Sequence, residues 1–207
     1  MKPRLLLASD NAKKRAELAL LLAGRGVELL TPRDIGGLPA VDEDAPTFAG
    51  NAAKKARSAA LATRQWCLAD DSGLEVEALG GAPGVHSARY GGVHGDDAAN
   101  NRKLLEALRT FGPKRRAARF VCALALARPD GEIALAIEGI CLGRILEIAR
   151  GTRDFGYDPL FLFTEAGFAQ TGRGFAELEP AEKARVSHRG RAMALLLSRW
   201  PAELSAT

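Results

Sequence analysis

The chain has 207 residues, a length that predicts one domain. Apolar residues make up 47% of the chain and charged residues 26%, which is close to the average of folded proteins and excludes a disordered chain. The formal net charge of +4 is compatible with an anionic ligand and too small for a protein that wraps DNA. Because aromatic residues make up only 6% of the chain, we expect an aliphatic core.

The three cysteines, Cys67, Cys122 and Cys141, are odd in number and widely spaced, in or beside apolar segments. This pattern predicts buried, reduced thiols with neither a disulfide framework nor a zinc site. The apolar stretch at the start of the chain ends after residue 8, too early for a secretory signal peptide. The longest strictly apolar run, residues 120–127, is too short to span a membrane. We therefore expect a soluble cytoplasmic protein without a membrane partner.

The first half of the chain predicts strands that alternate with helices. An apolar run at residues 4–8 breaks at polar residues into a helix. Thr47 is a typical N-cap for a second helix, which places Asn51 and Lys55 one turn apart on the same face. Strands are expected at residues 4–8, 27–30, 66–69 and 74–79, and helices at residues 47–63 and 96–111, with a loop at residues 31–46 and a polar interruption at residues 70–73.

The second half of the chain predicts a hairpin and a final helix. The apolar runs at residues 119–127 and 132–142 flank the sequence Arg-Pro-Asp-Gly, which is typical of a tight turn. A short strand is expected at residues 160–163, and a helix at residues 187–200 follows a polar stretch. Alternation followed by a hairpin predicts an α/β fold with a mixed rather than a purely parallel sheet.

The segment from Ser9 to Lys14 lies where the first strand ends and the first helix begins. Backbone N–H groups at a helix N-terminus, a hydroxyl, an amide and two ammonium groups are suited to binding phosphate. The segment lacks the glycines and the Gly-Lys-Ser/Thr ending of a Walker loop. The alternative is a capped helix whose basic side chains face solvent.

Asp70 and Asp71 end an apolar run and precede Ser72 and Gly73. Successive side chains of a strand point to opposite faces, so only one of the two carboxylates is expected at a given site. Buried carboxylates are unfavourable unless they bind a cation or hydrogen-bond donors, and Mg²⁺ takes one or two carboxylates plus phosphate oxygens. Glu43, in an acidic loop, is a candidate for a second carboxylate. The alternative is a polar turn stabilised by aspartate side chains.

Two further segments carry candidate binding residues. Phe155 and Tyr157 lie in a glycine-rich segment, and either ring is suited to stacking on a nucleobase. The alternative is that both rings pack into the core. His188 and Arg189, near the start of the last helix, have donors for carbonyl oxygens, whereas the alternative is a structural histidine. The residues by themselves predict a Mg²⁺-dependent enzyme that acts on a phosphate-bearing ligand with an aromatic group.

Five segments, in order along the chain, carry a resemblance to a known family. They are residues 8–14, residues 47–56, residues 69–74 with 80–90, residues 155–159 and residues 182–190. Together they resemble the Ham1/inosine triphosphate pyrophosphatase family, which hydrolyses non-canonical purine nucleoside triphosphates to the monophosphate and pyrophosphate. The resemblance covers nearly the whole chain and implies the same reaction here, with ITP, dITP and XTP as substrates.

The resemblance also implies roles for individual residues. Asp71 would be a Mg²⁺ ligand and the proton acceptor for the attacking water, with Asp70 and Glu43 as further metal contacts. The triphosphate would be bound by Ser9, Asp10, Asn11, Ala12, Lys13, Lys14, Lys55 and Ser72. The base would be enclosed by Phe155, Gly156 and Tyr157, and its edge would be contacted by Asp158, Lys183, His188 and Arg189.

The fold implied by the resemblance is a single domain over residues 1–207, with a long mixed β-sheet flanked by helices and two lobes around a central cleft. A homodimer is expected, with a small-molecule nucleotide rather than a nucleic acid as the partner and Mg²⁺ as the cofactor. Two positions depart from the family pattern. Asp10 stands where glycine is usual, and Gly50 stands where an acidic residue commonly precedes the asparagine.

Two other functions agree with parts of the sequence. A pyrophosphatase for modified pyrimidine or 7-methylguanine nucleotides, as in the Maf family, would use similar phosphate chemistry, but residues 155–158 and 187–189 argue against it. A non-catalytic nucleotide- or RNA-binding module would suit the basic charge. Such a module has little use for the carboxylates of Asp70, Asp71 and Glu43 at its anion site.

Overall fold

The computed structural model describes residues 2–9, 11–153 and 155–204 of the chain. These residues fold into two compact units, each built from more than one stretch of sequence. Unit 1 comprises Met1–Asp71, Cys122–Gly139 and Arg189–Thr207, and unit 2 comprises Ser72–Val121 and Ile140–His188. One boundary between the two units therefore lies between Asp71 and Ser72, directly after the carboxylate pair that the sequence singles out.

The described residues contain five α-helices and six strands in alternating and hairpin arrangements. The strands are β1 (Arg4–Leu7), β2 (Glu28–Leu30), β3 (Trp66–Val76), β4 (Ala117–Ala127), β5 (Ile133–Ile145) and β6 (Phe161–Phe163). The helices are α1 (Ala12–Leu22), α2 (Phe48–Thr63), α3 (Asp97–Ala107), α4 (Pro180–Val186) and α5 (His188–Ser198). None of the described helices is both long enough and apolar enough to cross a membrane.

The six strands form one mixed sheet in the order β2-β1-β3-β4-β5-β6. β1 runs parallel to β2 and to β3, with Leu6 opposite Leu30 on one side and Cys67 on the other. At the other edge, β5 and β6 are antiparallel, with Gly143 opposite Phe163. The predicted α/β fold with a mixed sheet flanked by helices is therefore confirmed.

One local prediction was wrong. The polar residues 70–73 do not interrupt a strand, because β3 continues through them from Trp66 to Val76. Cations from other segments neutralise the charges of the two aspartates, and the strand can therefore remain buried at these positions. The polar stretch before the last helix is itself helical (α4), with Pro180 in its first turn and the Glu179 backbone N–H donating to Glu182 Oε2 at 2.9 Å.

Unit 1 has the aliphatic core that the composition predicts. Leu5 and Leu7 of β1, Leu18 of α1 and Leu68 of β3 are at most 1% exposed and pack into one cluster. Unit 2 differs, because its core cluster contains the stacked and tilted rings of Phe120, Phe161, Phe163 and Phe175. Many of the chain's few aromatic residues are thus concentrated in one of the two units.

The prediction of buried, reduced cysteines is confirmed, since all three are free thiols with 0% exposure. Burial raises the pKa of the Cys67 thiol to about 11, although a hydrogen bond with Thr63 opposes the shift. Burial likewise raises the pKa of Cys122 to about 12. Both thiols therefore remain protonated at pH values where an exposed cysteine is ionised.

We expect the native protein to resist thiol alkylation at about pH 9, where an ordinary cysteine is mostly thiolate. Raised pKa values and burial both keep Cys67 and Cys122 unreactive. Iodoacetamide labelling followed by mass spectrometry should modify all three cysteines in guanidinium chloride and almost none without it. Fast labelling of Cys67 or Cys122 in the native protein would contradict their burial.

Helix α1 offers a matched pair of leucines for testing the core of unit 1. Leu18 is 1% exposed and Leu20 is 54% exposed. Leu18→Ala should lower the free energy of unfolding by about 3 kcal/mol, because it removes buried methyl groups and leaves a cavity. Leu20→Ala, with the same helix propensity change, should alter it by about 0.5 kcal/mol or less. Urea unfolding followed by circular dichroism measures both, and equal losses would refute this packing.

Candidate functional site

The N-terminal half of α2 places two polar side chains against Asp71, in the middle of β3. The Thr47 hydroxyl accepts a hydrogen bond from the Gly50 backbone N–H at 3.1 Å, which confirms the predicted N-cap. Asn51 and Lys55 lie four residues apart and therefore on the same helix face. Both side chains contact Asp71, whose side chain is almost completely buried.

Two carboxylates converge on the ammonium group of Lys55. Lys55 Nζ donates to Glu43 Oε2 at 2.7 Å and to Asp71 Oδ1 at 3.1 Å. Asn51 Nδ2 donates to the other oxygen of Asp71, Oδ2, at 3.2 Å. The acidic loop and the middle of β3, which are far apart in sequence, are thereby joined at the Lys55 ammonium group in unit 1.

Burial and charge shift the pKa values of this group in different directions. Burial raises the pKa of Asp71, and the nearby Glu43 carboxylate raises it further, while Lys55 and Lys14 oppose the shift. Burial would also raise the pKa of Glu43, but its hydrogen bond and charge interaction with Lys55 outweigh burial and lower it. The pKa of Lys55 is raised, because the carboxylates around it outweigh the desolvation that would lower it.

Asp70 has a different set of partners from its neighbour. Its Oδ2 atom lies 3.2 Å from Lys14 Nζ and 3.1 Å from Arg189 Nη2. Arg189 is 2% exposed, and its Nη1 atom also pairs with Glu17 of α1. This separation of partners agrees with the expectation that only one of two successive carboxylates faces a given site.

The surrounding cations keep Asp70 ionised. Burial by itself would raise its pKa, but the charges of Lys14, Arg189 and Lys55 outweigh burial and hold the pKa well below its usual range. Desolvation would lower the pKa of Arg189, but the charge of Asp70 raises it. The pKa of Arg189 therefore lies above its ordinary value. Asp70 and Arg189 thus form a buried ion pair that neither partner can leave at neutral pH without large cost.

The predicted phosphate segment begins α1 as a capped helix. Asn11 is the N-cap, and its Oδ1 atom accepts from the Lys14 backbone N–H at 3.0 Å. Ser9 Oγ accepts from the Asn11 backbone N–H at 3.3 Å, while Ala12 and Lys13 are exposed. Asp10 lies outside the described residues. The segment brings Lys14 to Asp70, which is the part of it that reaches the carboxylates.

The carboxylates of unit 1 have the chemistry expected of a magnesium site. Within the described ranges, no group of three or more His, Cys, Asp or Glu side chains is arranged as a metal cage. Glu43 and Asp71 nevertheless face the same positive charge on Lys55. Mg²⁺ is usually held by one or two carboxylates together with waters and substrate phosphate oxygens, so two converging carboxylates fit it.

A second cluster lies in unit 2. Lys183 Nζ lies 2.5 Å from Asp158 Oδ2, and both residues are buried. The same ammonium group lies 4.8 Å from the ring centre of the half-buried Phe155. Three residues that the resemblance assigned to base binding are therefore in mutual contact.

Tyr157 is positioned differently from Phe155. Its ring is 4% exposed and belongs to the core cluster of unit 2, and its hydroxyl donates to the Ser87 carbonyl at 2.9 Å. Burial raises its pKa. The structure thus gives Tyr157 the packing role that was the alternative in the sequence, and leaves Phe155 as the more accessible ring.

The loop before Asp158 is fixed by α3. The Gly156 backbone N–H donates to Asp97 Oδ2 at 2.9 Å, and the Gly156 carbonyl accepts from Asn101 Nδ2 at 2.9 Å. Gly156 has a φ of 58°, a conformation that favours glycine. Two side chains that sequence patterns did not single out therefore set the position of this loop.

His188 stacks on Phe120 in unit 2. The ring centres lie 4.7 Å apart and the planes are inclined by 16°. His188 is 5% exposed, so its ring plane is fixed by packing as well as by its place at the start of α5. Ser72, the remaining predicted phosphate contact, is half-buried in β3.

Five residues near these clusters were missed by sequence analysis as parts of a site. Asn51 was noted only as a neighbour of Lys55 on α2, although it bonds Asp71 directly. The others were not singled out: Glu17, Asp97, Asn101 and Phe120. Their only local signal is polarity or aromaticity on a helix or strand, and their partners are distant in sequence.

Comparison with known proteins identifies the family. A model of the Ham1 family matches residues 5–199. The chain belongs to the Ham1 family. It is 48% identical to the dITP/XTP pyrophosphatase of Rhodopirellula baltica over 93% of this chain and 90% of that protein. It is 51% identical to the dITP/XTP pyrophosphatase of Syntrophobacter fumaroxidans over 91% of this chain and 78% of that protein.

The fold is also that of solved Ham1 structures. A HAM1 protein from Coxiella burnetii superposes with a TM-score of 0.84 at 38% identity, over 95% of this chain and 98% of that one. The Ham1 resemblance that the five sequence segments carried is therefore confirmed at the level of family and fold. The roles of single residues rest on the geometry of the two clusters.

The ion pair of Asp70 should make the stability of this Ham1 protein depend on pH in the acid range. With EDTA present, Asp70→Asn should lower the free energy of unfolding by about 3 kcal/mol near neutral pH, because it leaves buried cations uncompensated. A lowered pKa stabilises the native state above the unfolded pKa, and this contribution is lost as pH falls through the native value. The deficit of the variant should therefore shrink below about pH 4.

Urea unfolding at a series of pH values measures this deficit. Asp130→Asn is a matched control, because Asp130 is exposed in the turn between β4 and β5, where its Oδ1 atom accepts from the Glu132 backbone N–H. The control should remain within about 0.5 kcal/mol of the wild type at each pH. A deficit of Asp70→Asn that grows as pH falls would contradict the assignment.

Proposed function

We propose that this protein hydrolyses the non-canonical purine nucleoside triphosphates dITP, ITP and XTP to the nucleoside monophosphate and pyrophosphate. Membership of the Ham1 family and relatives named dITP/XTP pyrophosphatase support the substrate class. The observation that carries the chemistry is the convergence of Glu43 and Asp71 on Lys55 beside the cation Lys14. Carboxylates and ammonium groups together suit water activation next to a polyphosphate.

Asp71 is proposed as the proton acceptor. A water molecule attacks the α-phosphorus, the bond from that phosphorus to the bridging oxygen breaks, and pyrophosphate leaves with the bond electrons. The Asp71 carboxylate takes a proton from the attacking water. Burial raises the pKa of Asp71 above that of an ordinary aspartate, which makes its carboxylate a stronger base.

Lys14 and Lys55 are proposed to bind the triphosphate, together with the N-terminus of α1. Their charges also act on Asp70 and Asp71. Positioning and charge stabilisation are most of what phosphoryl transfer requires from a protein. Mg²⁺, held by Asp71 and Glu43 with Asp70 close by, would supply neutralisation of the phosphate oxygens and polarisation of water.

Base selection is proposed to rest on donors in unit 2. Lys183 and His188 are buried N–H donors, and Phe155 provides a ring beside Lys183. Hypoxanthine and xanthine have a 6-oxo acceptor, whereas adenine has a 6-amino donor at the same position. An adenine would leave buried donors unpaired, and such a mismatch is strongly disfavoured.

For Arg189 we propose a role in addition to the one that the resemblance implied. Its guanidinium is engaged by Asp70 and Glu17, within unit 1. We infer that it acts mainly by holding Asp70 in place. We also propose a cytoplasmic homodimer, as the family resemblance implies, which multi-angle light scattering of the purified protein would test.

Pyrophosphate release with Mg²⁺ tests the proposed function directly. The substrates are dITP, ITP, XTP, GTP and ATP, each with and without EDTA. Fast, EDTA-sensitive release from the first three over GTP and ATP would support the proposal. Equal hydrolysis of all five, or of none, would reject it, and modified pyrimidine triphosphates would then be the next substrates to assay.

Asp71→Asn should reduce turnover of dITP by at least about a hundredfold, because the variant lacks the proton acceptor. Nucleotide binding should be largely preserved, since Asn keeps the size of the side chain and removes a negative charge near the phosphates. Steady-state kinetics and calorimetric titration with a non-hydrolysable dITP analogue measure the two effects. The exposed control Asp130→Asn should retain wild-type turnover, and near-normal activity of Asp71→Asn would remove Asp71 from the mechanism.

A further inference from the structure

The buried amide of Asn51 joins two parts of the carboxylate cluster. Asn51 is 1% exposed. Its Nδ2 atom donates to Asp71 Oδ2 at 3.2 Å, and its Oδ1 atom accepts from the Ala45 backbone N–H at 2.9 Å. One side chain therefore binds the proposed proton acceptor and the acidic loop that carries Glu43.

Lys55 makes the same connection one helical turn later. Its ammonium group bridges Asp71 Oδ1 and Glu43 Oε2. The two oxygens of Asp71 are thus held by two residues of one face of α2, and each of these residues also holds the acidic loop. Lys54 adds an ion pair with Asp44 on the exposed side of the loop.

Gly50 allows the acidic loop to approach α2 this closely. A Cβ atom at position 50 would lie 2.7 Å from Ala45 Cβ and 3.2 Å from Thr47 Oγ1. Carbon atoms do not pack at 2.7 Å, and Ala45 has no flexible side chain that could move away. The departure from the family pattern at Gly50 thus coincides with a contact that only glycine permits.

We propose that Asn51 is a positioning residue that orients the Asp71 carboxylate and docks the loop of Glu43 against α2, with Gly50 providing the room for this docking. Asn51 touches neither substrate nor metal in this assignment and acts through Asp71 and the loop. The inference rests on the proposed function for its kinetic consequence. Its structural consequence, a common position for two carboxylates, is independent of the substrate.

The first test is Asn51→Ala, which removes both hydrogen bonds. Loss of a residue that orients a metal-binding group commonly costs about 10- to 100-fold in metal affinity or activity. We expect the dissociation constant of Mn²⁺, added alone as a probe and followed by the EPR signal of the free ion, to rise about tenfold. We also expect kcat for dITP to fall about tenfold while KM changes less than about twofold.

Asn100→Ala is the matched control. Asn100 is likewise a buried helical asparagine, 2% exposed, whose amide bridges the Gly91 backbone N–H and the Ala88 carbonyl in unit 2. The control should show a loss of thermal stability similar to that of Asn51→Ala, with Mn²⁺ affinity unchanged. A purely structural role of Asn51 would give the same result as this control.

Gly50→Ala is a second variant that leaves the Asn51 amide in place and displaces the loop. Its control is Gly112→Ala, since a Cβ atom there would meet no other atom within 4 Å. We expect Gly50→Ala to weaken Mn²⁺ binding severalfold and Gly112→Ala to leave it unchanged. If Asn51→Ala does not fold, the comparison of Gly50→Ala with Gly112→Ala tests the proposal by itself.

Wild-type Mn²⁺ affinity and kcat in a folded Asn51→Ala, or equal losses in a variant and its control, would overturn the inference. The Mn²⁺ titration does not depend on hydrolysis. A wild-type protein that hydrolyses none of the triphosphates would therefore reject the proposed function, while the titration would still decide the positioning role.

Discussion

The arrangement of unit 1 depends on two neighbouring carboxylates, Asp70 and Asp71, buried in the middle of a strand. Burial of an uncompensated charge is very unfavourable, so each carboxylate requires cations or donors from elsewhere in the chain. Lys14 and Arg189 form ion pairs with Asp70, and Lys55 forms an ion pair with Asp71. These cations come from helices α1, α5 and α2. Burial of the two aspartates of β3 therefore requires that all three helices are in their native positions.

The two carboxylates have different surroundings, which shift their pKa values in opposite directions. Asp70 is surrounded by cations that hold its pKa low, so it acts as a fixed negative charge. Asp71 is buried beside the Glu43 carboxylate, and its pKa is raised despite Lys55 and Lys14. Environments that push the pKa values of adjacent groups apart are typical of acid–base sites. The proposal of Asp71 rather than Asp70 as proton acceptor, which the resemblance implied, agrees with this difference.

Unit 2 provides a contrasting kind of order. It contains packed rings and a buried ion pair, with Lys183 in contact with Asp158 and Phe155, and with His188 stacked on Phe120. Lys183, Asp158 and His188 are buried, and Phe155 is half-buried. In the proposed function, a base with the wrong edge would leave such buried donors unpaired, which is strongly disfavoured.

The sequence by itself determined the family, the α/β class and the N-cap at Thr47, and it singled out charged residues that meet in unit 1. Those conclusions depend on local periodicity, capping residues and the order of motifs, which can be recognised from short segments of the chain. Tertiary structure decided that β3 continues through its aspartates, that Tyr157 is buried in the core and that Asn51 bonds Asp71. Each of these outcomes depends on a partner distant in the chain, and local patterns carry no information about which distant groups will meet.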